Sequence, residues 1–228
     1  MYTVKFYTGD YYARQQKANG DDCLCYVEHH LNSSTNPDAG YSVVITGSNA
    51  SQTSKNWGRW YAQAVAKEFD LRLGGDQGIQ VGGYSGRGDY NLRYTKMPAI
   101  LLEPLFASNP QHAQWIRSES GQDILASILK ESIERFFQEK GTIAFSVGHK
   151  YKESRPKDLG ASVHGGGAEA DYAEIILKKA KTLLDETDGL EKERLIKIIK
   201  EGETLWSGSV DSDDDVNWDP IRGVLSIK

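Results

Sequence analysis

Cysteine and methionine are scarce, two of each, and there are only six prolines in 228 residues. Cys23 and Cys25 stand two apart, too close to staple distant parts of a chain. On a strand they share a face and read as small buried thiols. No run approaches the ~18 apolar residues of a membrane-spanning helix. The first residues, Met1-Tyr2-Thr3-Val4-Lys5, lack the charged and apolar regions of an export signal. Basic residues do not dominate either: 27 Lys and Arg stand against 32 Asp and Glu, a net charge of −5. That argues against a generally basic nucleic-acid binder. The expectations are no membrane span, no nucleic-acid partner, and a monomer or weak dimer.

At about 150 residues per domain, the length fits one large domain, or one domain with an appendage. A hydrophobic fraction of 39% and a charged fraction of 26% describe an ordinary globular chain that needs no metal merely to fold. Five tryptophans and 12 tyrosines suggest a well-packed interior and a carbohydrate-facing surface. No internal repeat is present.

Short β-branched or aromatic runs with polar or Gly-containing flanks read as strands at 3–8, 23–29 and 42–46. Residues 98–102 (PAILL) suit a strand buried on both faces, and 142–147 (TIAFSV) another. Apolar groups at helical spacing predict helices over 54–69, 120–138 and about 168–184, with a further charged helix over about 190–205. Residues 73–90 hold seven glycines and read as a loop or short hairpin. Its Gly83-Tyr84-Ser85-Gly86-Arg87-Gly88 stretch lacks the Lys and Ser/Thr of a phosphate loop, and reads as a mobile loop near a substrate. The alternation predicts a single α/β domain, a mixed and mostly parallel sheet with helices on both faces. Its catalytic part spans 1–185, with 186–228 a helical and acidic extension packed on the same domain. Asp211-Ser212-Asp213-Asp214-Asp215 lacks the Gly and Glu of a calcium loop and reads as a solvated turn.

Sites in such sheets gather at the carboxyl ends of strands. Past 142–147 stands His149. Past 23–28 stand His29 and His30, then Asn32. Past 98–102 stands Glu103, and Glu169 lies near the start of a helix. Two imidazoles and a carboxylate can form a three-ligand Zn²⁺ set that leaves a position for water. Glu103 is then free to serve as base, since a buried carboxylate needs a partner or a task. A lone strand-end histidine is commonly a satisfied surface residue, and Glu169 is also the first-turn acid that a helix dipole favours. Spacing alone therefore suggests a metal site and leaves the ordinary readings open.

The words around these residues carry a resemblance. Pro98-Ala99-Ile100-Leu101-Leu102-Glu103-Pro104-Leu105-Phe106-Ala107-Ser108-Asn109 resembles the catalytic-glutamate segment of the zinc-dependent N-acetylmuramoyl-L-alanine amidases, the amidase-3 family, with Leu105 where the family has Gly. Residues 14–32 resemble the family's Arg…Ala-Asn…Asp…His-x-Asn segment. His30 takes the histidine place, and Glu28 stands where a small polar residue is usual. Residues 142–170 resemble the family's opening segment, a strand, Gly-His, a Gly-Ala loop and then Glu.

The resemblance implies zinc held by His149, Glu169 and His30, with Glu103 as the catalytic base. Arg93 and Asn32 are the further candidates, for substrate contact and support of the site. The resemblance also implies hydrolysis of the amide between N-acetylmuramic acid and L-alanine of peptidoglycan. The order differs from the family's: reading 142–228 and then 1–140 restores it, which implies a circular permutation. With no export signal visible, a phage-type lysin released from the cytoplasm is the expected setting. A zinc carboxypeptidase using the same constellation and a non-catalytic wall-binding module are the alternatives. Only the latter has no use for Glu103.

Overall fold

The computed structural model describes the backbone of residues 1–190, 193–200, 203–211, 216–219 and 224–227, and the side chains of residues 1–185. The chain divides into two units, Met1–Leu183 and Leu184–Lys228.

The first unit is built on a six-stranded sheet. Its strands are β1 (Thr3–Phe6), β2 (Cys25–His29), β3 (Val43–Thr46), β4 (Ile79–Val81), β7 (Ala99–Glu103) and β8 (Thr142–Val147). A small hairpin, β5 (Gly83–Tyr84) and β6 (Arg87–Gly88), lies between β4 and β7 in the chain. The spatial order is β1-β8-β2-β7-β3-β4. All neighbouring pairs are parallel except β7 with β3. The sheet is therefore mixed and mostly parallel, as its apolar strands predict. Every residue of β2 and β3 is buried, as are all but the first of β8 and all but the last of β7.

The helices are α1 (Tyr11–Gly20), α2 (Gln52–Glu68), α3 (Pro110–Arg117), α4 (Glu119–Phe136) and α5 (Glu169–Leu190). Helix α2 starts where the Ser51 side chain accepts from the Ser54 backbone N–H, and it packs on β3 and β7 through a face that includes the buried Trp57, Tyr61 and Val65. Helix α4 packs against α2, burying Leu125, Leu129 and Ile133. Both cysteines are free and buried.

Two helices were not anticipated. Helix α3 opens with Asn109 as N-cap and Pro110 behind it, a local start signal inside a stretch that reads as a turn. Helix α1 buries Arg14, Gln15, Ala18 and Asn19, so its inner face is mostly polar and shows no apolar period.

The predicted charged helix over about 190–205 is corrected. The backbone there forms β9 (Glu193–Lys200), paired antiparallel with β10 (Glu203–Asp211). Leu195, Ile196, Ile198 and Ile199 satisfy helical spacing, but their β-branched content serves a strand equally, and a pairing partner follows at once. A second antiparallel pair joins β11 (Val216–Asp219) to β12 (Val224–Ile227). The extension is thus β-structured where helix was expected. Residues 212–215 of the acidic run lie outside the described residues.

Candidate metal centre and active site

Three neighbouring parallel strands end together. The registers pair His29 with Val147 on one side and with Leu102 on the other. The next residues, His30, Gly148 and Glu103, therefore stand in line at one edge of the sheet, with His149 one residue further. This β8-β2-β7 adjacency is why residues from distant parts of the chain meet.

His30, His149 and Glu169 each offer a ligand atom, and these atoms lie within 4.8 Å of one another. His30 Nδ1 is 2.9 Å from Glu169 Oε1, and His149 Nε2 is 3.3 Å from the same oxygen. The Glu169 carboxylate also accepts from the backbone N–H groups of Leu31 and Ala161, at 3.1 and 2.9 Å. Burial alone would raise its pKa, but His149 and His30 hold it well below the usual carboxylate range. Burial disfavours a charged His30, yet Glu169 and Glu28 outweigh it and raise its pKa to about 10.

The outer nitrogen of each imidazole is also occupied. His30 Nε2 is 2.8 Å from Glu28 Oε1, and His149 Nδ1 is 3.0 Å from Asp158 Oδ1. Carboxylates behind ligating histidines fix the ring and raise its basicity, a recurring arrangement around bound metal. Glu28 accepts in turn from Asn91 Nδ2 at 2.6 Å, and Asp158 from Lys152. Neither supporting carboxylate was assigned a role from sequence. Glu28 did leave a signal: a charged residue in mid-strand, two before His30, shares its face. Asp158 lies in an irregular loop with no spacing to betray it. His29 falls on the opposite face of β2, fully buried, with both ring nitrogens unpartnered among the described residues.

Two glycines make room. A Cβ on Gly148 would meet the His30 ring at 2.5 Å. Gly160 has φ +76°, and a Cβ there would lie 2.4 Å from Glu169 Oε2 and 2.8 Å from His149 Cδ2. Gly160→Ala is therefore expected to push the carboxylate out of place and weaken divalent-cation binding by the His30, His149 and Glu169 set by about 10–100-fold. Titration against a competing chelator measures this, and an unchanged affinity would contradict the cradle.

A cleft of about 660 Å³ opens over the cluster, lined by His30, His149, Glu169, Glu103 and Asn32 among others. Glu103 is partly buried at the end of β7, and its carboxylate has no hydrogen-bond or ion-pair partner among the described residues. Burial pushes its pKa up to about 7, against the opposing pull of His30. A carboxyl that titrates near neutrality can both take and give a proton. The same shift carries a stability consequence. The folded protein holds a proton on Glu103 that the unfolded chain releases near pH 4.5, so stability falls as pH rises from there to about 7. Glu103→Gln removes this loss. For chelator-treated protein, its stability gain over wild type is expected to be about 2–3 kcal/mol larger at pH 8 than at pH 4.5. Thermal denaturation at the two pH values measures it, and an equal gain at both would refute the assignment.

Asn32 lines the cleft, and its Nδ2 is buried without a partner among the described residues. Arg93 does not line the cleft. Its guanidinium donates to Tyr94 OH at 2.9 Å and pairs with Asp89 at 3.4 Å, beside the cleft. The cation that lines the cleft is Arg87, on β6, with no ion pair among the described residues. His164, in the loop between two candidate ligands, is exposed.

An α/β sheet that brings two imidazoles and a carboxylate together, beside a glutamate with no partner among the described residues, has a donor set that suits a metal-dependent hydrolase. The profile of the N-acetylmuramoyl-L-alanine amidases matches residues 3–135, and the chain belongs to that family. It is a peptidoglycan hydrolase that cuts the amide between N-acetylmuramic acid and L-alanine. No curated protein gives a significant match. Solved structures do. An N-acetylmuramoyl-L-alanine amidase from Clostridium difficile 630 is 27% identical, covering 58% of this chain and 67% of that one, with a TM-score of 0.49. The catalytic domain of CwlV from Bacillus (Paenibacillus) polymyxa var. colistinus is 23% identical over 57% and 67%, TM-score 0.48. Ami1 from Mycobacterium smegmatis is 18% identical over 56% and 60%, TM-score 0.44. No helix among the described residues is long and apolar enough to cross a membrane.

Proposed function

We propose that this amidase works with one zinc ion held by His30, His149 and Glu169, with Glu103 as its general base and acid. The single observation that carries the reading is the convergence of those three donors, two past strand ends and one at the start of α5, within 4.8 Å and beside a Glu103 that has no partner among the described residues. Two neutral imidazoles and one carboxylate suit zinc. The carboxylates behind both rings and the glycines beside them fit a cation in the place between. When bound, the ion supplies Lewis-acid polarisation of the scissile carbonyl and lowers the pKa of a nearby water.

The chain's own residues do the rest. Glu28 and Asp158 keep the two rings oriented, each through its outer nitrogen. Glu103 takes a proton from the attacking water at its free carboxylate and delivers it to the nitrogen of the leaving L-alanine. The Asn32 amide, a buried donor with no acceptor among the described residues, would bind a substrate carbonyl. Arg87 presents the cleft's free positive charge to an anionic stem peptide.

The element order supports a circular permutation of the family's chain. The profile match ends at residue 135, while His149 and Glu169 lie beyond it. The strand that leads to His149, β8, follows every other strand of the sheet in the chain, yet it lies between the first two in space. Residues 1–185 then form the catalytic domain and 186–228 an added extension.

Product analysis on purified peptidoglycan tests the reading. New N-terminal L-alanine without new reducing sugar is expected, abolished by a chelator and restored by zinc. His30→Ala should lower the bound zinc from about one ion per chain. Release of C-terminal residues would instead indicate a carboxypeptidase, and binding without cleavage a wall-binding module.

A further inference from the structure

A cluster of exposed tyrosines lies beside the cleft, outside the machinery described so far. Tyr12, Tyr90 and Tyr94 keep 48%, 45% and 38% of their surface exposed. The Tyr12 and Tyr94 rings have centroids 5.2 Å apart, and Tyr90 and Tyr94 5.5 Å, each pair edge to face. The Arg93 guanidinium lies over the rings of Tyr90 and Tyr94, at 5.4 and 4.9 Å. Tyr90 also lines the cleft, so the aromatic surface is continuous with the place of reaction.

The platform is held rigidly from below. Gln15 is fully buried on α1. Its Nε2 donates to the Tyr90 carbonyl at 2.9 Å, and its Oε1 accepts from the Tyr94 N–H at 2.8 Å. Asn19, also buried, does the same: its Nδ2 donates to the Tyr94 carbonyl and its Oδ1 accepts from the Lys96 N–H, each at 2.8 Å. Asn91, between the two clamped tyrosines, reaches Glu28 behind His30. Two buried amides are thus committed to fixing a segment whose large side chains remain in water.

We propose that Tyr12, Tyr90 and Tyr94, with Arg93, form a subsite for the glycan strand of peptidoglycan, stacking on N-acetylated sugar rings next to the scissile bond. The proposal rests on the amidase reading for the position of that bond. A pyranose ring presents an apolar face of C–H groups rimmed by hydroxyls. A rigid tyrosine surface offers the matching apolar faces with hydroxyls at its rim. Arg93 already has Asp89 and the two rings as partners, so the platform has no free cation for a carboxylate. The stem peptide, which carries carboxylates, is better served by the unpaired Arg87.

The experiment uses the full chain and two readouts. The first is calorimetric binding of a peptide-free oligosaccharide of alternating N-acetylglucosamine and N-acetylmuramic acid, which needs no turnover. Wild type is expected to bind it, and Tyr12→Ala/Tyr94→Ala about tenfold more weakly. Absence of wild-type binding, or equal binding by the variant, overturns the proposal. The second readout is steady-state hydrolysis of a stem peptide on a tetrasaccharide and of a D-lactoyl-peptide without sugar. The variant should raise KM about tenfold for the first, with kcat and the sugarless substrate unchanged. An equal rise for both substrates would make the platform a peptide site and overturn the proposal. Tyr12→Phe/Tyr94→Phe keeps the stacking faces and should retain most of the affinity, which guards against a folding defect in the alanine variant. Failure of wild type to hydrolyse either substrate with zinc would instead strike the amidase reading, and the binding readout would still decide the subsite.

Discussion

Glu103→Gln is expected to lower peptidoglycan hydrolysis by about 10²–10⁴-fold while leaving about one zinc ion per chain in place. The separation of the two effects is the point of the experiment. Glu103 stands at the end of β7 beside the His30–His149–Glu169 cluster and is not among its three converging donors. Glutamine keeps the shape of the side chain but can neither accept the proton of the attacking water nor return one to the leaving amine. Zinc content by elemental analysis and turnover on sacculi, measured on the same preparation, give both numbers. Wild-type turnover in the variant would remove Glu103 from the mechanism. Loss of the metal together with activity would make it a ligand.

Those four residues were legible because each follows an apolar strand or opens a helix, and the parallel sheet collects such positions at one edge. The spatial order β8-β2-β7 was accessible only through the resemblance, since no local pattern says that the strand at 142–147 enters between two strands from the start of the chain. What escaped was whatever folds with a polar interior. Helix α1 has no apolar stripe because its buried face is Arg14, Gln15, Ala18 and Asn19, three of them polar and used for hydrogen bonds. Asp158 escaped because an irregular loop carries no period. Arg93 was singled out as a cation near the substrate, but its charge is engaged by Asp89 and two tyrosine rings, and Arg87 holds the place in the cleft. The helical reading over about 190–205 failed for another reason. Isoleucines at ambiguous spacing take the structure of their partner, and the partner strand, 203–211, is a non-local influence.

Arg14 carries the second large expectation. Its side chain is fully buried, and no acidic group forms an ion pair with it among the described residues. Nε donates to the Gly9 carbonyl at 2.6 Å, Nη1 to Ser146 Oγ at 2.8 Å and the Val147 carbonyl at 2.7 Å, and Nη2 to the Lys150 carbonyl. One guanidinium thus ties α1 to the end of β8 and to the turn that presents His149. That turn needs holding, since His149 and Tyr151 adopt φ of +62° and +64°, a conformation that side chains with a Cβ resist.

Arg14→Met would take a donor from the Gly9, Val147 and Lys150 carbonyls and from Ser146 Oγ, most of them buried, and would release the strained turn. The expected loss is about 3–5 kcal/mol of unfolding free energy, read as a lower urea midpoint. Zinc affinity should fall with it, because His149 would no longer be pre-set. Lys17→Met on the same helix removes an exposed ammonium whose one hydrogen bond among the described residues is to the Thr8 carbonyl, and should change stability by less than about 0.5 kcal/mol. A methionine at 14 that costs no more than one at 17 would mean that the His149 turn keeps its shape without the guanidinium, and that the link between α1 and the metal centre has been misjudged.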